Sequence, residues 1–218
     1  MEKTSDRRGK AFRSAWICLG IIAFYVLFVL PLVPFPHWGW MERRQINNAV
    51  AEARRDGGVM HRNRWTEYNL NGLDLSHLIF DHPTFNYTWL VGTDLSHSDL
   101  RKAYAYRGRF MRARFDGADL REARIEAAYC MNASFKGCDL RGANFQSAKL
   151  YGADFTGADL TDAKFPGAFC DSQTKWPPGF HPQEHELFLR DEADAIEAAK
   201  QVPAYNPWDH PDTHYSFQ

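Results

Sequence analysis

Few clusters in this chain have residue types and spacings that can do chemistry. The segment HPQEH, residues 181–185, has the H-x-x-E-H spacing in which two imidazoles hold zinc and Glu184 serves as the base. That arrangement needs a helix, and Pro182 suits a helix start, which places His181 at the cap rather than on a helical face. The segment DHPDTH carries His210 and His214 in a Pro-rich, aromatic tail, which reads as a solvated segment rather than a metal cage. The four cysteines, Cys18, Cys130, Cys138 and Cys170, show no C-x-x-C spacing, so neither a zinc ribbon nor a disulfide framework is indicated. No phosphate loop and no catalytic triad appear. The chain is therefore expected to be noncatalytic, with no cofactor and no metal; a zinc hydrolase using His181, Glu184 and His185 is the enzymatic alternative.

The elements that must position everything else follow a period of five. Stepping by five from Leu70 gives Leu75, Phe80, Phe85, Leu90, Leu95 and Leu100. The series continues through Phe110, Phe115, Leu120, Ile125, Cys130, Phe135 and Leu140 to Phe165 and Cys170, with no slip of register. From Ala103 to Ala168 the residue two places before each centre is Ala, apart from Gly108 and Cys138. Neither the 3.6-residue period of a helix nor the two-residue period of a strand accounts for this. A backbone with one short side and one corner per pentad does. Centre and small residue then point inward, four sides close a square coil, and large and small residues alternate to fill a narrow core. Stacked at the strand spacing of about 4.8 Å, about five such coils make a rod roughly 24 Å tall. Glycines two after a centre, such as Gly117 and Gly137, suit corners with unusual dihedrals. Cys130, Cys138 and Cys170 all point inward as small core residues. His77 and His97 fall on successive corners, where polar residues are expected.

The repeated GADL, GANF and GADF segments at positions 117, 142, 152 and 157 resemble the pentapeptide-repeat family, whose repeat is A-(D/N)-(L/F)-x-x. The resemblance implies an all-β solenoid, a right-handed quadrilateral β-helix, over residues 70–171. The following CDSQTKWPPGF is similar to the segment that often ends such solenoids. The best-known members of this family protect topoisomerases by imitating DNA with an acidic rod. Residues 70–171 here hold 12 Lys and Arg against 13 Asp and Glu, which departs from that pattern. The net charge of the whole chain is −1, so no nucleic-acid partner is indicated either.

Residues 15–35 run for 21 positions without a charge, roughly 31 Å as a helix, which matches a hydrocarbon core of about 30 Å. Lys3, Arg7, Arg8, Lys10 and Arg13 precede the run and only Arg43 and Arg44 follow it closely, so the N-terminus is expected in the cytoplasm. Trp38 and Trp40 would anchor the far interface. The organisation expected is a basic segment 1–14, a transmembrane helix 15–35, and a spacer 36–69 with a short helix. The β-helix 70–171 follows, and then a cap helix and irregular tail, 172–218. The cap helix should begin near Pro182 and show Phe188, Leu189, Ala193 and Ile196 on one face. The setting expected is a bacterial inner membrane with the repeat domain in the periplasm, or an equivalent non-cytoplasmic space.

Residues twenty apart stack, so the surface reads column by column. Asp99, Asp119, Asp139 and Asp159 beside Arg101, Arg121 and Arg141 read as a solvated ionic face. Another side presents Val91, Met111, Met131 and Tyr151 after the centres and Trp89, Arg109, Tyr129 and Lys149 before them, with Tyr87, Tyr104, Tyr106, Arg107 and Arg124 adjoining. Such residue types mark protein contact. Either a partner or the chain's own tail covers them. The function expected is a scaffold protein, an accessory subunit docking onto an integral membrane complex and held in the bilayer by residues 15–35. A free-standing envelope protein with a soluble partner is the alternative.

Overall fold

Main-chain hydrogen bonds must go somewhere in a chain with almost no α-helix, and here they run between residues about twenty apart. The computed structural model describes residues 38–61 and 64–190. Segments 1–14 and 15–35 and the tail from residue 191 lie outside the described residues. Parallel bridges join Asp99 to Asp119, Asp119 to Asp139 and Asp139 to Asp159, and the other three sides repeat the pattern. Around Leu140, its own N–H donates to Asp159 O at 2.9 Å, and that of Asp139 donates to Ala118 O at 3.1 Å, one coil on each side. The corner then closes with Ala143 N–H donating to Leu140 O at 2.9 Å.

Every fifth residue from Glu67 to Gly167 has positive φ, which gives each corner the left-handed residue that a type II turn requires. Non-glycine residues hold many of these corners, among them Ala127 at 52° and Asn132 at 56°. At Gly117 glycine is needed for space as well, since a Cβ there would lie 2.6 Å from His97 Nδ1. Gly108 breaks the alanine column for a different reason: a Cβ would meet the Phe110 ring at 2.5 Å.

Inside the coils the aromatic centres stack. Phe115, Phe135 and Phe155 lie parallel at 4.9 Å intervals, with Phe145 and Phe165 edge-on beside them. The few polar residues in the inward columns are satisfied by carbonyls: Thr93 Oγ1 donates to Leu70 O at 2.8 Å and Ser98 Oγ to Leu95 O at 2.6 Å.

Both ends of the stack differ from the sequence reading. The ladder starts before Leu70: β1 (Val59–Met60) pairs in parallel with β2 (Ile79–Phe80), and Arg64 bridges Thr84. Met60 and Trp65 are core residues of the opening coil, so part of the expected spacer is solenoid. The helix ahead of it, α1 (Trp38–Arg55), is a cap rather than a spacer. Its Ile46, Val50 and Ala53, spaced as one helical face, are buried in the solenoid's core cluster. Arg43 donates to Asn71 O at 2.9 Å, and Arg54 pairs with Asp74 at 2.8 Å. The cap covers strand edges that would otherwise invite another chain.

At the other end Trp176 stacks on Phe155 at 4.9 Å, Phe180 on Trp176 at 4.7 Å and His185 on Phe180 at 4.3 Å. The helix expected from Pro182 does not form over the described residues. Pro182–His185 is a single 3-10 turn, ended by Glu186 in the left-handed region at φ 56°. The chain then becomes β4 (Phe188–Leu189), which pairs with β3 (Phe169–Cys170). The open main-chain groups of β3 need a partner, and two residues of strand supply it. Ala193 and Ile196 lie outside the described residues. Among the described residues, no helix is long and apolar enough to cross a membrane.

Candidate interaction surface

Between one corner and the next, each side of the rod presents one residue before the core centre and one after it. On the side whose centres are Leu90, Phe110, Cys130 and Leu150, the residues before the centres alternate rings and cations. The Arg109 guanidinium lies over the Trp89 indole at 3.9 Å, Lys149 Nζ over the Phe169 ring at 4.2 Å, and Arg190 over the same ring at 5.3 Å. Contacts of this kind contribute about 0.5–2 kcal/mol, more where water is excluded. Burial pushes the Arg109 and Lys149 pKa values down, with Arg190 adding to the effect on Lys149. Nε and Nη1 of Arg109 are buried and have no hydrogen-bond partner.

The residues after the centres form an apolar column. Met131 and Tyr151 are only 5% and 4% exposed and make a small cluster of their own with Met111, Tyr129 and Phe169, separate from the interior core. Val91, Met111 and Met131 line a groove of about 240 Å³, with Arg112 and Asn132 on its rim. Trp89 is 5% exposed. On the adjoining side Tyr104 lies under Arg124, and Tyr106 sits edge-on to Tyr87 with Arg107 above it.

The charged side behaves as its residue types suggest. Arg101, Arg121 and Arg141 each bond the Asp two places earlier, at 2.6–2.7 Å, and reach the Asp of the next coil at 3.5–3.7 Å. The Arg hydrogen bonds hold Asp99 and Asp139 below the ordinary carboxylate range. Each Arg is consumed by two carboxylates of its own column, so this side offers no free fork to a ligand.

Residues 84–117 and 128–167 match the family model for pentapeptide repeats, in 8 copies. The chain carries pentapeptide repeats. The described repeat segment is thus the right-handed β-helix solenoid that the repeat implies. Among solved structures, a pentapeptide repeat protein from the cyanobacterium Cyanothece 51142 is 20% identical, covering 60% of this chain and 99% of its own, with a TM-score of 0.38. QnrB1, a plasmid-mediated fluoroquinolone resistance protein, is 18% identical, covering 69% of this chain and 96% of its own, at 0.39. HetL, a pentapeptide repeat protein involved in heterocyst differentiation regulation in Nostoc sp. strain PCC 7120, is 17% identical, covering 66% and 92%, at 0.30. Likenesses this distant carry no argument about partners. No curated protein matches the chain significantly.

The pentapeptide-repeat register brings Met111, Tyr129, Met131 and Tyr151 into one cluster and puts Trp89 against Arg109, with Val91 in the groove beside them. Tyr104 and Tyr106 stand on the neighbouring side. Trp38 and Trp40 fall in the first turn of α1. Phe169, Phe188 and Arg190 belong to this surface and escaped the sequence reading. Phe169 was within reach, because it is twenty residues after Lys149. Phe188 was not, because it pairs with Phe169 at a spacing of nineteen.

The HPQEH segment forms a 3-10 turn in which His185 is spent stacking on Phe180, so the helical geometry of the zinc motif is not made. His77 and His97 stack at 5.0 Å on successive corners. Cys130, Cys138 and Cys170 are buried free thiols. Burial pushes the Cys138 thiol up to about 12 and Cys170 up to about 11. Thiols held protonated do not react, which resolves how an odd number of cysteines can persist in an oxidising space.

Proposed function

We propose that the chain is a noncatalytic, membrane-anchored interaction protein, an accessory subunit that docks onto a larger integral membrane complex of respiratory, photosynthetic or transport type. The uncharged run 15–35 supports the anchor, and its flanking charges support a cytoplasmic N-terminus with the rod on the opposite side of a bacterial inner membrane.

The observation that carries the docking role is Arg109. A guanidinium held against an indole, with two nitrogens buried and unsatisfied, costs about 1–3 kcal/mol unless something supplies acceptors. The apolar groove of Val91, Met111 and Met131 beside it adds area that gains only when water leaves. Trp, Tyr and Arg are the side chains that most often dominate contact energy, which makes Trp89, Arg109 and Tyr129 the anchors and Val91, Met111, Met131 and Tyr151 the packing around them. Tyr104 and Tyr106 extend the rim. The charged side, neutralised within itself, faces solvent.

Extraction of native membranes in mild detergent followed by native sizing tests this reading. The chain should migrate with a particle several times its own 25.1 kDa mass beyond the detergent contribution. Migration as a single chain would favour the free-standing envelope protein instead.

A further inference from the structure

Outward positions on a solenoid side normally face water, as Arg101 and Arg141 do on the charged side. Met131 and Tyr151 occupy equivalent outward positions and are 5% and 4% exposed, the burial of a covered surface. Three further features say what the cover is. The chain leaves the solenoid on this same side: β4 pairs with β3, Phe188 packs on Phe169 at 5.5 Å, and Arg190 lies over that ring. The 28 residues that follow can reach about 90 Å when extended, whereas the four coils from Phe169 to Trp89 rise only about 19 Å. Those residues also complement the surface. They carry six acidic groups against Lys200 alone, together with Val202, Tyr205, Trp208, Tyr215 and Phe217. Lys149, by contrast, has no described carboxylate among the groups acting on it.

We propose that residues 191–218 fold back in cis along the aromatic side. Acidic groups of the tail meet Lys149, and its rings cover Met131 and Tyr151. The tail occupies the lower coils of the surface that the previous section assigns to docking, so a partner spanning the whole side must displace it. That consequence rests on the docking reading; the occupancy does not.

The test is zero-length carbodiimide cross-linking of the full chain in detergent, using a mixture of isotopically light and heavy chains. The expected product joins Lys149 to an acidic residue between 191 and 212, with light peptides joined only to light and heavy only to heavy. Links between light and heavy chains would mean a second copy supplies the cover. Absence of any Lys149 link to this segment would overturn the proposal. A second readout is peroxide oxidation of Met131, with buried Met60 as the reference. Met131 should be as slow as Met60 in the parent chain, and about tenfold faster in a Tyr205→Ser, Trp208→Ser variant while Met60 is unchanged. Rapid oxidation in the parent, or equal protection in both chains, would also overturn it. Cross-linking reads occupancy without any partner present, so its failure is distinct from a failure of docking.

Discussion

Replacing Phe135 by Ala tests the inward register where the structure makes the largest claim for it. The ring is 0% exposed and is sandwiched between Phe115 and Phe155, each at 4.9 Å and within 4° of parallel. Phe145 meets its edge at 5.7 Å. Emptying a buried aromatic site costs about 3–5 kcal/mol. Three ring contacts vanish with it, each worth about 0.5–1.5 kcal/mol beyond area, so the loss belongs near the upper end, about 5 kcal/mol. Phe135→Leu keeps most of the volume and should cost about 1.5 kcal/mol. Gln146→Ala should stay within about 0.5 kcal/mol, because at that exposed position the only hydrogen bond involves the backbone N–H, with Asn144 Oδ1. Urea unfolding followed by circular dichroism and tryptophan fluorescence reads all three; Trp176 sits in the same ring column and reports its integrity directly. Equal losses for Phe135→Ala and Gln146→Ala would refute the register. A Phe135→Leu loss as large as that of Phe135→Ala would refute the cavity argument.

Two further outcomes follow from charge. Burial pushes the Asp154 carboxyl up, but the Thr156 hydrogen bonds with Lys175 and Lys136 outweigh it and hold the group at about 2, below its ordinary 3.8. A depressed folded-state pKa stabilises the fold above pH 4 and loses that contribution as pH falls through about 2. Asp154→Asn should therefore be less stable than the parent by about 2 kcal/mol above pH 4, with the gap closing toward pH 2 in acid melting curves; a gap constant across that window would contradict the assignment. In a Cys18→Ser background, Ser5→Cys should be labelled by an impermeant maleimide only from the cytoplasm and Gln201→Cys only from the other side, while the buried thiols stay unlabelled. The opposite pattern would overturn the localisation.

The repeat was legible because each pentad states its geometry twice, once in the Leu or Phe centre and once in the small residue before it. Ala118 and Leu120, or Ala143 and Phe145, leave no second register open, and the structure buries all four. The corners were legible only where glycine marked them. Ala127 and Asn132 adopt the same left-handed backbone because the bridges on either side dictate it, and no local signal shows that.

The ends were misread where the pattern degrades. Trp65 is a centre without a clear run of pentads before it. Pro182 announces a helix that the unpaired edge of β3 overrides two residues after the turn ends. The amphipathic face of α1, with Ile46, Val50 and Ala53, was visible in the sequence, but its role as a lid was not, since nothing in those residues says which hydrophobic surface they meet. The same holds for the aromatic side. Its composition marked it as a contact surface, whereas the burial of Met131 and Tyr151 depends on what lies over them.

The central claim, that the rod docks through the aromatic side, is tested most directly by affinity capture of the tagged full chain from native membranes. Parent, Met111→Glu and Arg141→Glu chains should be compared after their melting temperatures are shown to match. Met111→Glu puts a charge in the groove beside Arg109 and should lose the co-purifying complex, while Arg141→Glu, on the opposite charged side, should retain it. Retention of the complex by Met111→Glu at the parent level would contradict the account.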